Sequence, residues 1–263
     1  MCATCGCGED GATVTLPGHG HTHEHPHPHH DHDHDHHHEH DHVHTETITL
    51  EQKVLAKNDQ LAERNRAWLA ERDILAFNLT SSPGAGKTTL LERTIRELSL
   101  NRPVAVIEGD QETLLDAERI KAAGARAVQV NTGAGCHLDA AMVHRALQTL
   151  DPEPGSLLFV ENVGNLVCPA LFDLGERSKV VVISVTEGDD KPLKYPHMFA
   201  AAGLVIFNKI DLLPHVSFDL EKCCGYVRSL NRDTEIVAMS AATGDGSAHW
   251  YDWIDDRAKA LVP

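Results

Sequence analysis

Residues 74–89 read ILAFNLTSSPGAGKTT, and LLERTIREL follows at 90–98. Ile74 to Thr80 form an apolar run of strand length, and 87–99 has helical spacing. Between them Ser81–Thr89 matches G-x-x-x-x-G-K-[ST], with Ser81 standing where the first glycine is usual. Each residue type there has a reason. Gly84, Ala85 and Gly86 are small enough for backbone N–H groups to wrap a phosphate chain. The helix that follows turns its positive end toward the same charge. Lys87 is placed for the β- and γ-phosphates, the Thr88 hydroxyl for Mg²⁺, and Thr89 extends the cradle. A chance glycine-rich turn is the weaker reading, because a strand and a helix stand on the required sides.

Outward from this loop the pattern alternates. Apolar runs at 103–108, 126–130, 157–161, 179–185, 203–207 and 235–239 join 74–80 as expected strands. Helical patterns at 87–99, 112–123, 138–150, 191–202, 217–230 and 248–261 separate most of them. Continuous Val/Ile-rich strands divided by helices predict a parallel sheet buried on both faces. The expected fold is α/β: a P-loop GTPase domain over 73–263, with a mostly parallel sheet of about seven strands and helices on both faces. A helical lead-in is expected over 46–72, with Leu50, Val54, Leu61 and Leu69 on its apolar face.

Ligands of such sheets bind beyond the strands' carboxyl ends. Asn208-Lys-Ile-Asp211 follows the run 203–207. The Asp211 carboxylate can accept both guanine N1–H and N2–H₂, and the Lys209 stem can cover the ring. Ser240-Ala241, after the run 235–239, fits the loop that completes a guanine pocket. Asp110 and Glu161 stand at strand ends, and both are candidates for the Mg²⁺ shell, with helix capping as the bland reading of either alone. Glu161-x-x-Gly164 replaces the more usual D-x-x-G. No arginine finger or catalytic base stands out, which suits a timing device better than a fast enzyme.

The first 45 residues are of another kind. Fifteen of the 20 His lie between His19 and His44, among acids, Pro and Gly. Few large apolar residues are present to offset the entropy of ordering, so a disordered Cys/His-rich tail is expected over 1–45. Residues 1–52 contain ten acids and no Lys or Arg; from residue 53 on, 29 acids stand against 23 Lys and Arg. Neither part has the basic excess of a nucleic-acid or anionic-membrane surface. No run is long and apolar enough to cross a membrane, and no signal peptide is read at the start. Seven Cys are unevenly spaced, as in a reducing compartment, and the expectation is cytoplasmic.

Thiolates and imidazoles are ligands for Ni²⁺ and Zn²⁺. Cys136-His137 follows the run 126–130, and Cys168 follows Glu161 by seven residues. They can make one site, with a position open for water, a labile metal or a second subunit. Cys2, Cys5 and Cys7 (C-x-x-C-x-C) can converge on one ion, and the amine of Cys2 is a fourth ligand if Met1 is removed. The isolated reading, a flexible oxidation-prone end, competes with this. His29, His30, His32, His34, His36, His37, His38, His40, His42 and His44 read as a metal reservoir rather than a tag, because acids break up the run and it lies between a thiolate cluster and the domain. Cys223 and Cys224, within a helical pattern, read as structural.

CATCGCG, SSPGAGKTTLLE, VIEGDQET, NTGAGCHLDA, ENVGNLVCP and FNKIDLLP run in order along the chain. With these it resembles the HypB family, GTPases that insert nickel during [NiFe]-hydrogenase maturation. The resemblance implies a nickel site at Cys2, Cys5 and Cys7, and a second site for Ni²⁺ or Zn²⁺ at Cys136, His137 and Cys168, between subunits of a GTP- or metal-promoted homodimer. It also implies slow GTP hydrolysis, a HypA-like zinc partner and the hydrogenase large-subunit precursor as client. Related deviant-loop GTPases often carry a further lysine early in the phosphate loop; Ser82 stands there. Metal storage or detoxification, and urease-type nickel insertion, are the alternatives.

Overall fold

The computed structural model describes residues 41–110, 115–133 and 135–259, without the side chains of 41–51, Asp110, Leu115 and Ala117. The candidate ligands Cys2, Cys5, Cys7 and the histidines through His40 lie outside the described residues, as do the side chains of His42 and His44. The chain divides into two units, residues 1–53 and 54–263. In the first, residues 41–53 are helical; the second contains the sheet.

The strands are β1 (Leu75–Ser81), β2 (Val104–Asp110), β3 (Arg126–Asn131), β4 (Leu157–Glu161), β5 (Ser178–Ser184), β6 (Ala202–Asn208) and β7 (Glu235–Ala238). They form one parallel sheet in the order β3-β2-β4-β1-β5-β6-β7. The expected seven strands and parallel pairing are as observed. Side chains alternate across the sheet. Phe77, Phe159, Val106 and Val182 pack on one face with α2 (Lys87–Leu98) and α8 (Ser247–Lys259). Trp250 is fully buried there and donates from Nε1 to Thr94 Oγ1 at 2.9 Å. Ala76, Ile107, Leu158 and Val160 face the other way, toward α1 (Asp41–Ala70) and α4 (Ala140–Leu150). Val181, Ile183, Val205 and Phe207 share a third cluster with α6 (Pro196–Ala200) and α7 (Leu220–Leu230). The remaining α-helices among the described residues are α3 (Leu115–Ala122) and α5 (Lys191–Lys194). Among the described residues, no helix is long and apolar enough to cross a membrane.

Three details depart from the sequence reading. The helix expected over 191–202 breaks at Tyr195 (φ −127°, ψ 53°) into α5 and α6. Pro196 pushes the residue before it out of the helical region. Helix α1 begins at Asp41 rather than 46. Its buried stripe is also different: Val54 is exposed, and Asn58, Ala62, Asn65 and Leu69 face inward. Two polar residues lie in that stripe because their amides satisfy loop and helix-end groups. Asn58 accepts from Ala140 N (2.9 Å) and donates to Asp173 O (2.8 Å). Asn65 donates to Ala140 O (2.9 Å) and Leu174 O (3.0 Å). Arg66 adds an ion pair to Asp173 at 2.6 Å.

Asn65→Ala leaves two buried carbonyls without their donor, so it is expected to lower the unfolding free energy by about 2–3 kcal/mol. Urea unfolding reads this as a lower midpoint at constant slope. A change under about 0.5 kcal/mol, the range of an ordinary surface substitution, means that α1 is not held by this amide.

Candidate nucleotide and metal site

Parallel register brings the strand ends together. Leu79 pairs with Glu161, and Glu108 pairs with Glu161 from the other side. Ser81 is the last residue of β1, not the first of the loop. Its hydroxyl donates to Ser82 O (2.6 Å) and accepts from Lys87 Nζ (2.7 Å). Gly84 and Gly86 have φ of +76° and +95°, and a Cβ on Gly86 would stand 2.6 Å from Asn208 Nδ2. Only glycine combines that conformation with that contact.

Behind the loop, Thr88 Oγ1 donates to Glu161 Oε1 at 2.8 Å. Burial pushes the Glu161 carboxyl up, against the Lys87 charge and the Thr88 hydrogen bond, which pull it down. Burial likewise lowers the Lys87 ammonium, opposed by the charges of Glu161, Asp116 and Glu187. Glu161 Oε2 is buried without a hydrogen-bond partner among the described residues. A hydroxyl and a carboxylate with an unclaimed oxygen suit a hard divalent cation such as Mg²⁺. Asp110 ends β2 on the neighbouring strand; its side chain lies outside the described set.

Gly84, Gly86, Lys87, Thr88 and Glu161 line a cavity of about 660 Å³, which also touches Thr89, Glu108, Asp116, Arg119 and Cys136. The sequence reading missed Asp116 and Arg119 of α3. Arg119 is paired with both Glu92 oxygens (3.1 Å each) and with Asp116 (2.9 Å). It also missed Lys191, which donates to Ser82 Oγ at 2.8 Å. A lysine thus reaches the start of the loop from α5, where the loop itself has Ser82.

At the far end of the loop, buried Asn208 ties three segments together. Its Nδ2 donates to Ala85 O (2.9 Å); its Oδ1 accepts from Lys209 N (2.8 Å) and Ala241 N (2.9 Å). Lys209 has a left-handed backbone (φ 64°) and donates from Nζ to Gly84 O at 2.7 Å. Asp211 Oδ1 is buried with no partner among the described residues, an acceptor suited to the N–H edge of a base. Ser240 Oγ accepts from Thr243 N at 3.1 Å. Arg93 of α2, another residue missed, donates to Ala241 O (2.7 Å) and Ala242 O (2.8 Å) and so fixes this loop against the phosphate-loop helix.

The ligand atoms of Cys136, His137 and Cys168 all lie within 4.8 Å of one another. Cys136 Sγ is 3.2 Å from Cys168 Sγ and 3.7 Å from His137 Nδ1. Two thiols and an imidazole at this spacing are a donor set for Zn²⁺ or Ni²⁺. Asp139 caps α4 by accepting from Met142 N (2.7 Å), which fixes where the Cys136-His137 segment ends. Cys168 is buried in a 3₁₀ turn, Cys168–Ala170. Phe172 packs on the His137 ring with centroids 4.1 Å apart. Burial lowers the His137 imidazole below its ordinary value, against the pull of Asp139, which favours the neutral, ligating form. By contrast, Cys223 is buried inside α7, with its thiol pushed up to about 12.

A strand, a glycine loop with Lys87 and Thr88, and a separate Asn-Lys-x-Asp corner on one parallel sheet define a nucleotide-binding domain of the P-loop GTPase class. The CobW/HypB/UreG, nucleotide-binding domain family matches residues 75–238. A hydrogenase maturation factor HypB of Azotobacter chroococcum is 56% identical over 215 residues, covering 82% of this chain and 70% of that protein. The crystal structure of HypB from Archaeoglobus fulgidus superposes with a TM-score of 0.72 at 40% identity, over 77% of this chain and 99% of that one. HypB from Helicobacter pylori, solved in complex with nickel, gives a TM-score of 0.72 at 34% identity, over 78% and 96%. The chain belongs to the HypB family of hydrogenase maturation factors.

Two substitutions separate the ends of the pocket. Gly86→Ala is expected to weaken GTP and GDP alike by about 100-fold or more, because a positive φ and a blocked Asn208 must both be relieved. Asp211→Ala is expected to weaken GTP by about 10-fold or more while leaving the weak binding of ATP unchanged. Competition with a fluorescent nucleotide reads both; equal losses for GTP and ATP in Asp211→Ala mean that this carboxylate does not read the base.

Proposed function

We propose that this chain is a GTP-hydrolysing metallochaperone that stores nickel and delivers it to a [NiFe]-hydrogenase large-subunit precursor. One observation carries the reading: Cys136 lines the same cavity as Lys87, Thr88 and Glu161, while its thiol stands 3.2 Å from Cys168. The names of its relatives and the nickel in the Helicobacter pylori structure support the client and the cargo.

Lys87 holds the β- and γ-phosphates, the backbone of Gly84, Ala85, Gly86 and Thr89 cradles them, and Asp211 selects guanine within the corner made by Asn208, Lys209, Ser240 and Ala241. Thr88, Glu161 and Asp110 hold Mg²⁺, which when bound neutralises charge developing on the transferred phosphoryl group. Cys136, His137 and Cys168 take Ni²⁺ or Zn²⁺, with the next coordination place filled from water, a second copy of the chain or an acceptor protein. Hydrolysis is slow and serves timing. The tail, with Cys2, Cys5, Cys7 and the histidine tract, supplies the reservoir. The chain acts as a homodimer, with a HypA-like zinc protein as partner.

Ni²⁺ and Zn²⁺ competition titrations on the chain and its Cys136→Ala variant, each with GDP and with a non-hydrolysable GTP analogue, test this. The expected result is a 5- to 150-fold dependence of one site's affinity on nucleotide, absent from Cys136→Ala. Identical curves for both nucleotides would instead support metal storage in the tail.

A further inference from the structure

The segment Glu161-Asn-Val-Gly-Asn165 lies between the phosphate loop and the Cys136-His137 segment and is bonded to both. On the nucleotide side, Glu161 accepts from Thr88, and Gly164 packs on Pro83. A Cβ on Gly164 would stand 3.0–3.1 Å from Pro83 Cγ, Cα and N. On the metal side, the two asparagines hold the peptides on either side of His137. Asn165 Nδ2 donates to Cys136 O at 3.1 Å, and Asn162 Oδ1 accepts from Leu138 N at 3.1 Å.

Both amides are themselves anchored. Asn162 is buried, accepts from Val163 N (3.0 Å) and donates to Asn78 Oδ1 of β1 at 3.3 Å. Asn78 in turn donates to Glu176 Oε1 at 3.1 Å. Asn165 Oδ1 accepts from Val167 N at 2.9 Å, the residue before Cys168. All three candidate ligands are therefore tied to one short stretch that starts at Glu161.

We infer that Asn162 and Asn165 are positioning residues that transmit the state of the phosphate loop to Cys136, His137 and Cys168. The inference rests on the coupled-delivery reading above. Asn162 follows Glu161 directly, so a backbone shift at Glu161 as its carboxylate takes a cation moves the amide with it. Hydrogen bonds weaken steeply with length and misalignment, so the 136–138 peptide follows or loses its partner. Metal sites tolerate only about 0.2 Å of error in ligand distance, so a small displacement changes affinity. The rival account is direct repulsion between two cations sharing a cavity, which needs neither asparagine.

The test uses the full chain and reads the coupling from the nucleotide side, where reciprocity requires the same factor. Affinities for a fluorescent GDP and a fluorescent non-hydrolysable GTP analogue are measured with and without Zn²⁺. The same ratio in Cys136→Ala subtracts the effect of metal held elsewhere on the chain. Asn165→Leu keeps volume but removes the donor to Cys136; Asn162→Ala removes the acceptor for Leu138. The ratio is expected to fall from 5- to 150-fold in the parent to under about 2-fold in each variant, whatever happens to either affinity alone. If Asn162→Ala does not fold, Asn165→Leu alone decides. A parent-like ratio in the folded variants overturns the inference and leaves cation repulsion as the link. A parent that couples no more than Cys136→Ala overturns the coupled-delivery reading itself.

Discussion

The contact on which the site depends is the 2.8 Å hydrogen bond from Thr88 to Glu161. It joins the first turn of α2 to the last residue of β4, and it exists because β1 and β4 run parallel with Leu79 opposite Glu161. A buried carboxylate costs several kcal/mol of lost hydration unless it is paired and hydrogen-bonded. Here Thr88 supplies the hydrogen bond and the charge of Lys87 favours the ionised carboxylate. The loop and the strand end therefore hold each other in place before any ligand arrives. The 162–165 segment continues directly from that contact.

The burial of Lys87 and Glu161 also poises the site electrically. Each is pushed toward its neutral form by burial and held back by the other's charge. Such a pair gains from a ligand that brings a matching anion and a matching cation together, as a nucleotide–Mg²⁺ complex does. The Asn208–Asp211 corner is built by the same means, with buried Asn208 spending its amide on Ala85, Lys209 and Ala241 so that three loops meet at one point.

The surroundings of Cys136, His137 and Cys168 are organised largely by amides, with the Arg66–Asp173 ion pair beside them. Asn58 and Asn65 of α1 fix Ala140 and the 173–174 peptides, while Asn162 and Asn165 fix the peptides around His137. Buried amides of this kind tolerate few alternative arrangements, because each lost partner leaves a desolvated polar group. That accounts for a polar stripe on a helix whose sequence invites an apolar one.

The sequence by itself determined the seven strands, the phosphate loop, the Asn208–Asp211 corner and the choice of Cys136, His137 and Cys168 as candidate ligands. Those signals are local: a run of Val and Ile, a glycine spacing, a residue type with limited chemistry. It also misled at Val54, which is exposed on α1, and over 191–202, where the local signal of Pro196 splits one helical pattern in two. Only the tertiary structure decided that Cys136 and Cys168, 32 residues apart, bring their sulfurs to 3.2 Å. It alone placed Arg93 on the Ala241 loop 148 residues away, Lys191 on Ser82, and Asp116 and Arg119 in the cavity. Such contacts leave no periodicity in the chain. They follow from strand order and register, which bury distant residues side by side and then require each polar atom to find a partner.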